Sequence, residues 1–385
     1  MFETQEDEMA AGKLASYRFY FRQRPVMLVL LAILAVVLFV MVTGLSQAFH
    51  AQRDALGDRW FNRGVADLNA KRFNAAVSDF RSALLYSRDD YSYQLNLAEA
   101  LLGLHHTGEA SAYLLNLWER EPENGVVNLE LARIAAQQGQ NDQAVRYYHD
   151  AVYAIWPGDE RSQRRAARLE LIELLLRTHS RVDAQAELIA LAENASEDSG
   201  EQERIGSLFL RAADYEHALA AYRIALKTDP HDPAALAGAG EAAFQLGRYP
   251  EAQKYLRDAV ATNPNDGASS GRLKTAEMVL QMDPYRRPIS ESQRNRAVVE
   301  AFTTAGVRLN SCPVPAAPGS GPSLSDSWTA MKSEITENAL RRNPDLADSA
   351  MDLVFRIERQ TNDACGAPSG PDLALLLIAR LHEGS

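Results

Sequence analysis

Glu251-Ala252-Gln253-Lys254-Tyr255-Leu256-Arg257-Asp258-Ala259-Val260-Ala261-Thr262-Asn263-Pro264 is the stretch that decides how this chain folds. Ala252, Leu256 and Ala259 follow one another at 4 and 3 residues, so they share one face of a helix that ends before Pro264. The same arrangement stands 34 residues earlier in Ala218, Tyr222, Ala225 and Pro230. Further out, Ala76, Ala110, Ala144, Ala184, Ala218 and Ala252 keep step at 34, 34, 40, 34 and 34 residues. A fixed period of this length marks helix pairs that stack, because one pair cannot bury its apolar face alone. Gly206 and Gly240 each precede their alanine by 12 residues, where a small side chain lets two helix backbones approach.

The pattern resembles the tetratricopeptide repeat, a helix–turn–helix unit. Trp60, Gly64, Ala76, Phe80 and Ala83 carry the resemblance in residues 57–90. Leu97, Ala98, Ala110, Leu114 and Pro122 carry it in 91–124, and Leu131, Ala132, Gly139, Ala144, Tyr148 and Ala151 in 125–158. An insertion near Trp156-Pro157-Gly158-Asp159 breaks the phase. It resumes in 165–198 with Leu171, Ala184 and Leu188, and clearer copies fill 199–232 and 233–266. Arg63 and Asp67 depart from the pattern where apolar side chains are usual, which suits a terminal repeat facing water. Ile172 replaces the small residue of the fourth copy. The resemblance implies an all-α solenoid of about six repeats over 57–282, with 269–282 as a closing cap helix.

By the same resemblance, the first helix of each repeat lines a concave groove. The repeat phase puts Phe61, Val65, Leu68 and Asn69 there first, then Leu95, Glu99 and Leu102. Leu129, Arg133 and Gln137 follow, then Leu169, Glu173 and Arg177. Glu203, Ser207 and Arg211 come next, and Ala237, Glu241, Phe244 and Gln245 last. Such a mixture of apolar and charged side chains suits an extended or helical peptide, although each residue taken singly reads more readily as solvated surface than as a binding hot spot. Some family members hold the terminal carboxylate of chaperones with a Lys/Asn clamp. The matching places here hold Phe61, Val65 and Asn96, so that activity is not carried over.

Val26 to Leu45 is a charge-free run of 20 residues. As a helix it rises about 30 Å, the thickness of a bilayer's hydrocarbon. Residues 26–46 therefore read as one transmembrane helix, opened by Pro25. Lys13, Arg18, Arg22 and Arg24 precede it among Tyr17, Phe19, Tyr20 and Phe21, while only Arg53 and Arg59 lie close behind. That asymmetry predicts a cytoplasmic segment 1–25 and repeats outside the cytoplasmic membrane of a bacterium, in a periplasm where there are two membranes. The rival readings are the opposite topology and a signal peptide cleaved after Ser46-Gln47-Ala48. The apolar core exceeds the usual signal length of about 7–15 residues, which favours an anchor. Residues 47–56 continue the membrane helix or lead into the first repeat.

Cys312 and Cys365 are the only two cysteines. An even number in an extracytoplasmic segment favours a disulfide, and an inward-facing tail would instead keep two free thiols. Past the cap, Ser292–Leu309, Leu324–Arg342, Leu346–Thr361 and Pro371–Leu381 read as helices, with a Pro/Gly-rich linker at 313–323. The last of these is strongly apolar yet too short to span a bilayer, so it packs on the repeats, on its own region or on a partner. No family is recognised in residues 285–385.

The chain has 40 basic and 51 acidic side chains and a net charge of −11, a balance that argues against nucleic-acid partners. The basic cluster Arg161–Arg168 is broken by Ser, Gln and Ala and reads as a solvated helix face rather than an anion site. None of the eight histidines forms a His-Glu-x-x-His pair, and His105 and His106 fall at a turn within the second repeat. Gly238-Ala239-Gly240 sits inside a repeat helix with no strand before it, unlike a nucleotide loop. No catalytic residue, metal or cofactor is expected, and the chain does not read as an enzyme. It reads as a membrane-anchored scaffold that binds protein partners of an envelope complex through the groove. The alternatives are a periplasmic assembly chaperone for unfolded clients, as in cytochrome c maturation, and an enzyme whose site lies in 285–385.

Overall fold

The structure, a computed structural model, describes the backbone of residues 3–314 and 322–382 and the side chains of 27–314 and 322–382. It comprises two compact units, Met1–Ala167 and Arg168–Ser385. The first holds α1 (Glu3–Asn69), α2 (Phe73–Leu84), α3 (Tyr91–Gly103), α4 (Thr107–Arg120), α5 (Gly125–Gln137) and α6 (Asn141–Tyr153). The division falls within α7 (Glu160–Arg177). The second continues with α8 (Arg181–Ala192), α9 (Ser199–Arg211), α10 (Tyr215–Thr228), α11 (Pro233–Gln245), α12 (Tyr249–Thr262) and α13 (Gly267–Met282). Then come α14 (Glu291–Ser311), α15 (Leu324–Met331), α16 (Glu337–Arg342), α17 (Asp345–Cys365) and α18 (Gly370–Leu381). Among the described residues there is no strand, only one parallel bridge between Asn124 and Ile155.

All six alanines of the repeat are fully buried, and close approach between paired helices explains them. A Cβ on Gly64 would stand 2.6 Å from the Phe80 ring, and one on Gly240 the same distance from Leu256. At neither position could a larger side chain enter without driving the helices apart. Ile172 occupies the corresponding place in the fourth repeat and is itself fully buried beside Leu188 in the core.

The ends of the helices repeat as faithfully as their faces. Asp90, Asn124, Asp198 and Asp232 each accept backbone N–H bonds at the start of a repeat's first helix, and Asp266 does so at the start of the cap helix α13. This satisfies donors that the first helical turn leaves unpaired. Between the two helices of a repeat the backbone turns through a left-handed residue: Lys71, His105, Gly139, His179, Ala213 or Gly247. The following N–H then reaches back to close the turn, as Asp214 does to Phe209 O at 2.9 Å and Arg248 to Ala243 O at 2.9 Å.

In the first unit, α1 runs without a break from the apolar segment into the first helix of the first repeat. Residues 47–56 thus join the apolar segment to the first repeat as unbroken helix. Every large apolar side chain from Met27 to Leu45 is exposed, and Met27–Asn69 is long and apolar enough to cross a membrane. The basic and aromatic side chains expected before it, Lys13 to Arg24, lie outside the described residues. Arg63 does not simply face water: it crosses to the buried carboxylate of Asp79 on α2, and its guanidinium lies 4.3 Å over the Trp60 ring. Asp67 pairs with Arg72.

In the second unit one hydrophobic core runs from Ile172 through the repeats to Ala379, so residues 285–382 share it with the repeats. The apolar α18 packs on α13 and α17 and buries Leu375, Leu376, Ile378 and Ala379. The helix expected over Leu324–Arg342 is instead two, α15 and α16. Ile335 turns into the core between them, and the Thr336 hydroxyl caps α16, which a continuous helix would forbid. Trp328 on α15 stacks on Phe302 with 5.6 Å between centroids and donates to Phe302 O at 2.9 Å. Cys312 and Cys365 are joined in a disulfide between the ends of α14 and α17. Of the linker read at 313–323, residues 315–321 lie outside the described residues.

Candidate partner-binding face

The first helices of the repeats carry the residues expected to line a groove, and the two units treat them differently. In the first unit Phe61, Val65, Leu68, Leu95 and Leu102 are half-buried and pack on the core with one side each. Phe61 stacks on Tyr93 with 4.9 Å between centroids, which fixes its ring. Asn69 and Gln137 are exposed. Glu99 is half-buried among these apolar side chains. Burial and the neighbouring Glu130 carboxylate push its carboxyl above the usual range. Arg133 pairs with Glu130 one turn away on α5.

In the second unit Glu173, Arg211 and Glu241 are tied from helix to helix. Arg211 on α9 donates to both carboxylate oxygens of Glu173 on α7 at 2.8 Å. That two-pronged bond, with the charge of Arg211 behind it, lowers the Glu173 carboxyl below its ordinary range. Arg177 is exposed and adds its charge to the same carboxylate. On α11, Glu241 accepts from Gln245 at 2.7 Å and from Arg272 of α13 at 2.8 Å. Phe244 corrects the sequence reading, because it is a core residue. Its ring is buried edge-on to Tyr249, with the Arg272 guanidinium 5.0 Å above it. Helix α13 packs against α11 and covers the position. Arg272 and Glu130 were missed, the first because its helix read only as a cap and the second because it lies one position off the phase used.

The basic run Arg161–Arg168 is bonded locally. Arg164 donates to Ala154 O at 3.0 Å, and Arg168 pairs with Glu187 at 3.1 Å and donates to Ala190 O at 3.2 Å. Among the described residues no group of three or more His, Cys, Asp or Glu side chains is placed to hold a metal ion.

The tetratricopeptide-repeat family model matches residues 95–160 and 204–267. Among solved structures, the C-terminal part of a repeat-containing protein from Cytophaga hutchinsonii is 11% identical with a TM-score of 0.43. That match covers 79% of this chain and 99% of the other. PilF of Pseudomonas aeruginosa is 14% identical with a TM-score of 0.39, covering 57% and 97%. The TPR2AB domain of yeast Sti1, solved as a pHSP90 complex, is 18% identical with a TM-score of 0.30, covering 77% and 98%. No curated protein sequence matches the chain.

Proposed function

Because the chain belongs to the tetratricopeptide-repeat family, whose repeats are interaction modules rather than catalysts, we propose that it is a membrane-anchored docking scaffold. In this reading α1 holds the protein in the cytoplasmic membrane of a bacterium with the repeats outside. The first-helix face of the first unit then receives a peptide or helix from a partner of an envelope complex. One observation carries the reading: Val65, Leu68, Leu95 and Leu102 form an apolar face that is only half-buried, with the Glu99 carboxyl among them. Covering such side chains contributes about 25 cal/mol per Å² of apolar area removed from water. The tether confines search to two dimensions and raises the effective concentration of partners.

The test is site-specific photocrosslinking in native membranes, with the reactive group placed at Val65, Leu102 or Gln137 and, as control, at Ser78 on α2. A small, reproducible set of folded proteins trapped from the first three positions and not from Ser78 is the expected result. Trapping of many unfolded clients would replace the scaffold with an assembly chaperone. Equal trapping from Ser78 would remove the face from the account.

A further inference from the structure

The insertion that breaks the repeat phase builds a second surface, apart from the first-helix face. Beyond α6 the chain leaves helical geometry and turns extended at Ala154. The Ile155 N–H donates to Glu123 O at 2.9 Å and the Gly125 N–H to Ile155 O at 3.0 Å. Trp156 folds its ring onto Gly125, where a Cβ would stand only 2.4 Å away, and donates to Ala151 O at 2.9 Å. Gln163 donates to Pro157 O at 2.7 Å and Arg164 to Ala154 O at 3.0 Å. A connection that merely joined two helices would not require so many cross-links.

What they hold open is a cavity of about 530 Å³ walled by Pro122, Ile155, Trp156 and Pro157, with Glu121 and Glu123 also lining it. That volume lies within the range of about 300–1,000 Å³ typical of ligand pockets. Ile155 is 67% exposed and the adjacent Tyr153 70%. Neither Glu121 nor Glu123 is in an ion pair among the described residues. Because hydrogen bonds fix the walls, an occupant would not have to order them on arrival.

We infer that this cavity docks an extended segment of a partner protein carrying one large apolar side chain flanked by Lys or Arg. The apolar wall takes the side chain, and the two carboxylates face the flanking cations. Charge complementarity selects this occupant. Nucleic acid would bring phosphates against Glu121 and Glu123, and a second copy would bring the same carboxylates and a net charge of −11.

The test uses the full chain in detergent micelles, panned against a random linear peptide library displayed on phage. The expected consensus is Leu, Ile or Phe with Lys or Arg on both sides. A synthetic consensus peptide should bind about tenfold or more weakly to Ile155→Asp and to the pair Glu121→Lys/Glu123→Lys, and more weakly at high salt. These side chains are exposed, and far-UV circular dichroism checks that helicity is kept. The inference is overturned by a consensus without basic residues, by no enrichment, or by binding that survives both variants. Self-association of the chain that Ile155→Asp abolishes would overturn it too, by making a second copy the occupant.

Discussion

Lys71, His105, Gly139, His179, Ala213 and Gly247 all adopt positive φ, between 57° and 74°, each five positions before a repeat alanine. A left-handed backbone costs a residue with a Cβ about 1–2 kcal/mol, and glycine loses about 0.5–1 kcal/mol more than alanine in entropy on folding. Ala213→Gly should therefore stabilise the chain by about 0.5–1 kcal/mol in urea denaturation. Gly247→Ala should destabilise it by more than that, since its Cβ would also stand 3.1 Å from the Leu381 side chain. The alanines were legible in the sequence because close packing tolerates little else. The turns were not, because Lys, His and Ala at four of the six positions give no sign of the backbone they adopt. Glu358 was equally silent. It is fully buried on α17, both carboxylate oxygens lack a hydrogen-bond partner, and burial, then Asp372, push its carboxyl up to about 8 against the partial relief of Arg308. In the unfolded chain it ionises near the ordinary glutamate value of 4.5. Below that pH both states keep the proton and Glu358 costs nothing. Between 4.5 and about 8 only the unfolded state releases it, so stability falls as pH rises and levels off above. At about 1.4 kcal/mol per pH unit the loss reaches a few kcal/mol. Glu358→Gln should flatten that fall, so that urea midpoints at pH 5 and pH 8 lie closer together than in the parent. An unchanged gap would mean that this carboxyl is ionised in the folded protein.

Helices were legible where both a face and an end were written in the residues. Asp or Asn at 90, 124, 198, 232 and 266 is a start signal that recurs with the repeat, and it went unread because the alanine period already placed the helices. The stretch Leu324–Arg342 misled because its composition favours a helix throughout, while the break depends on where Ile335 finds a core. Helix α18 left three possible supports open, and only the long-range pairing with α13 and α17 decides among them. No local rule carries that information. The disulfide acts at this scale. Cys312 and Cys365 are 53 residues apart, and their bond ties the end of α14 to the end of α17, where Arg308 also donates to Gly366 O at 3.0 Å. Closing a loop of that length stabilises the fold by about 4 kcal/mol in the chain-entropy model. The double variant Cys312→Ser/Cys365→Ser should lose up to about that much in urea denaturation. Dithiothreitol should then weaken the parent and leave the variant unchanged. If reductant affects neither, the thiols are unbonded in the purified protein.

At the scale of the whole molecule, the question is where α1 puts the repeats. Its apolar length from Met27 to Leu45 has no protein covering it, and each such side chain left in water forfeits about 1.5–3 kcal/mol. A bilayer would remove that penalty, and in the proposed reading the single rod then sets the side on which everything after it lies. Direction follows from the cations near each end. Lys13, Arg18, Arg22 and Arg24 precede the rod, and Arg53 and Arg59 follow it. Of the latter, Arg53 donates to Tyr86 O at 2.7 Å and so is committed to the first repeat. In the proposed topology the four cations before the rod outnumber the two after it, which favours the amino-terminal flank in the cytoplasm. Protease added to intact spheroplasts should digest everything beyond His50 and spare the amino-terminal segment. Replacing Lys13, Arg18, Arg22 and Arg24 with Ser should protect the repeats in a fraction of the molecules. Full protection of the unaltered chain would put the repeats in the cytoplasm, where glutathione would keep Cys312 and Cys365 reduced. The protease result and the state of the disulfide in cells must therefore agree, and disagreement between them would break the link between the anchor and the covalent tie in the second unit.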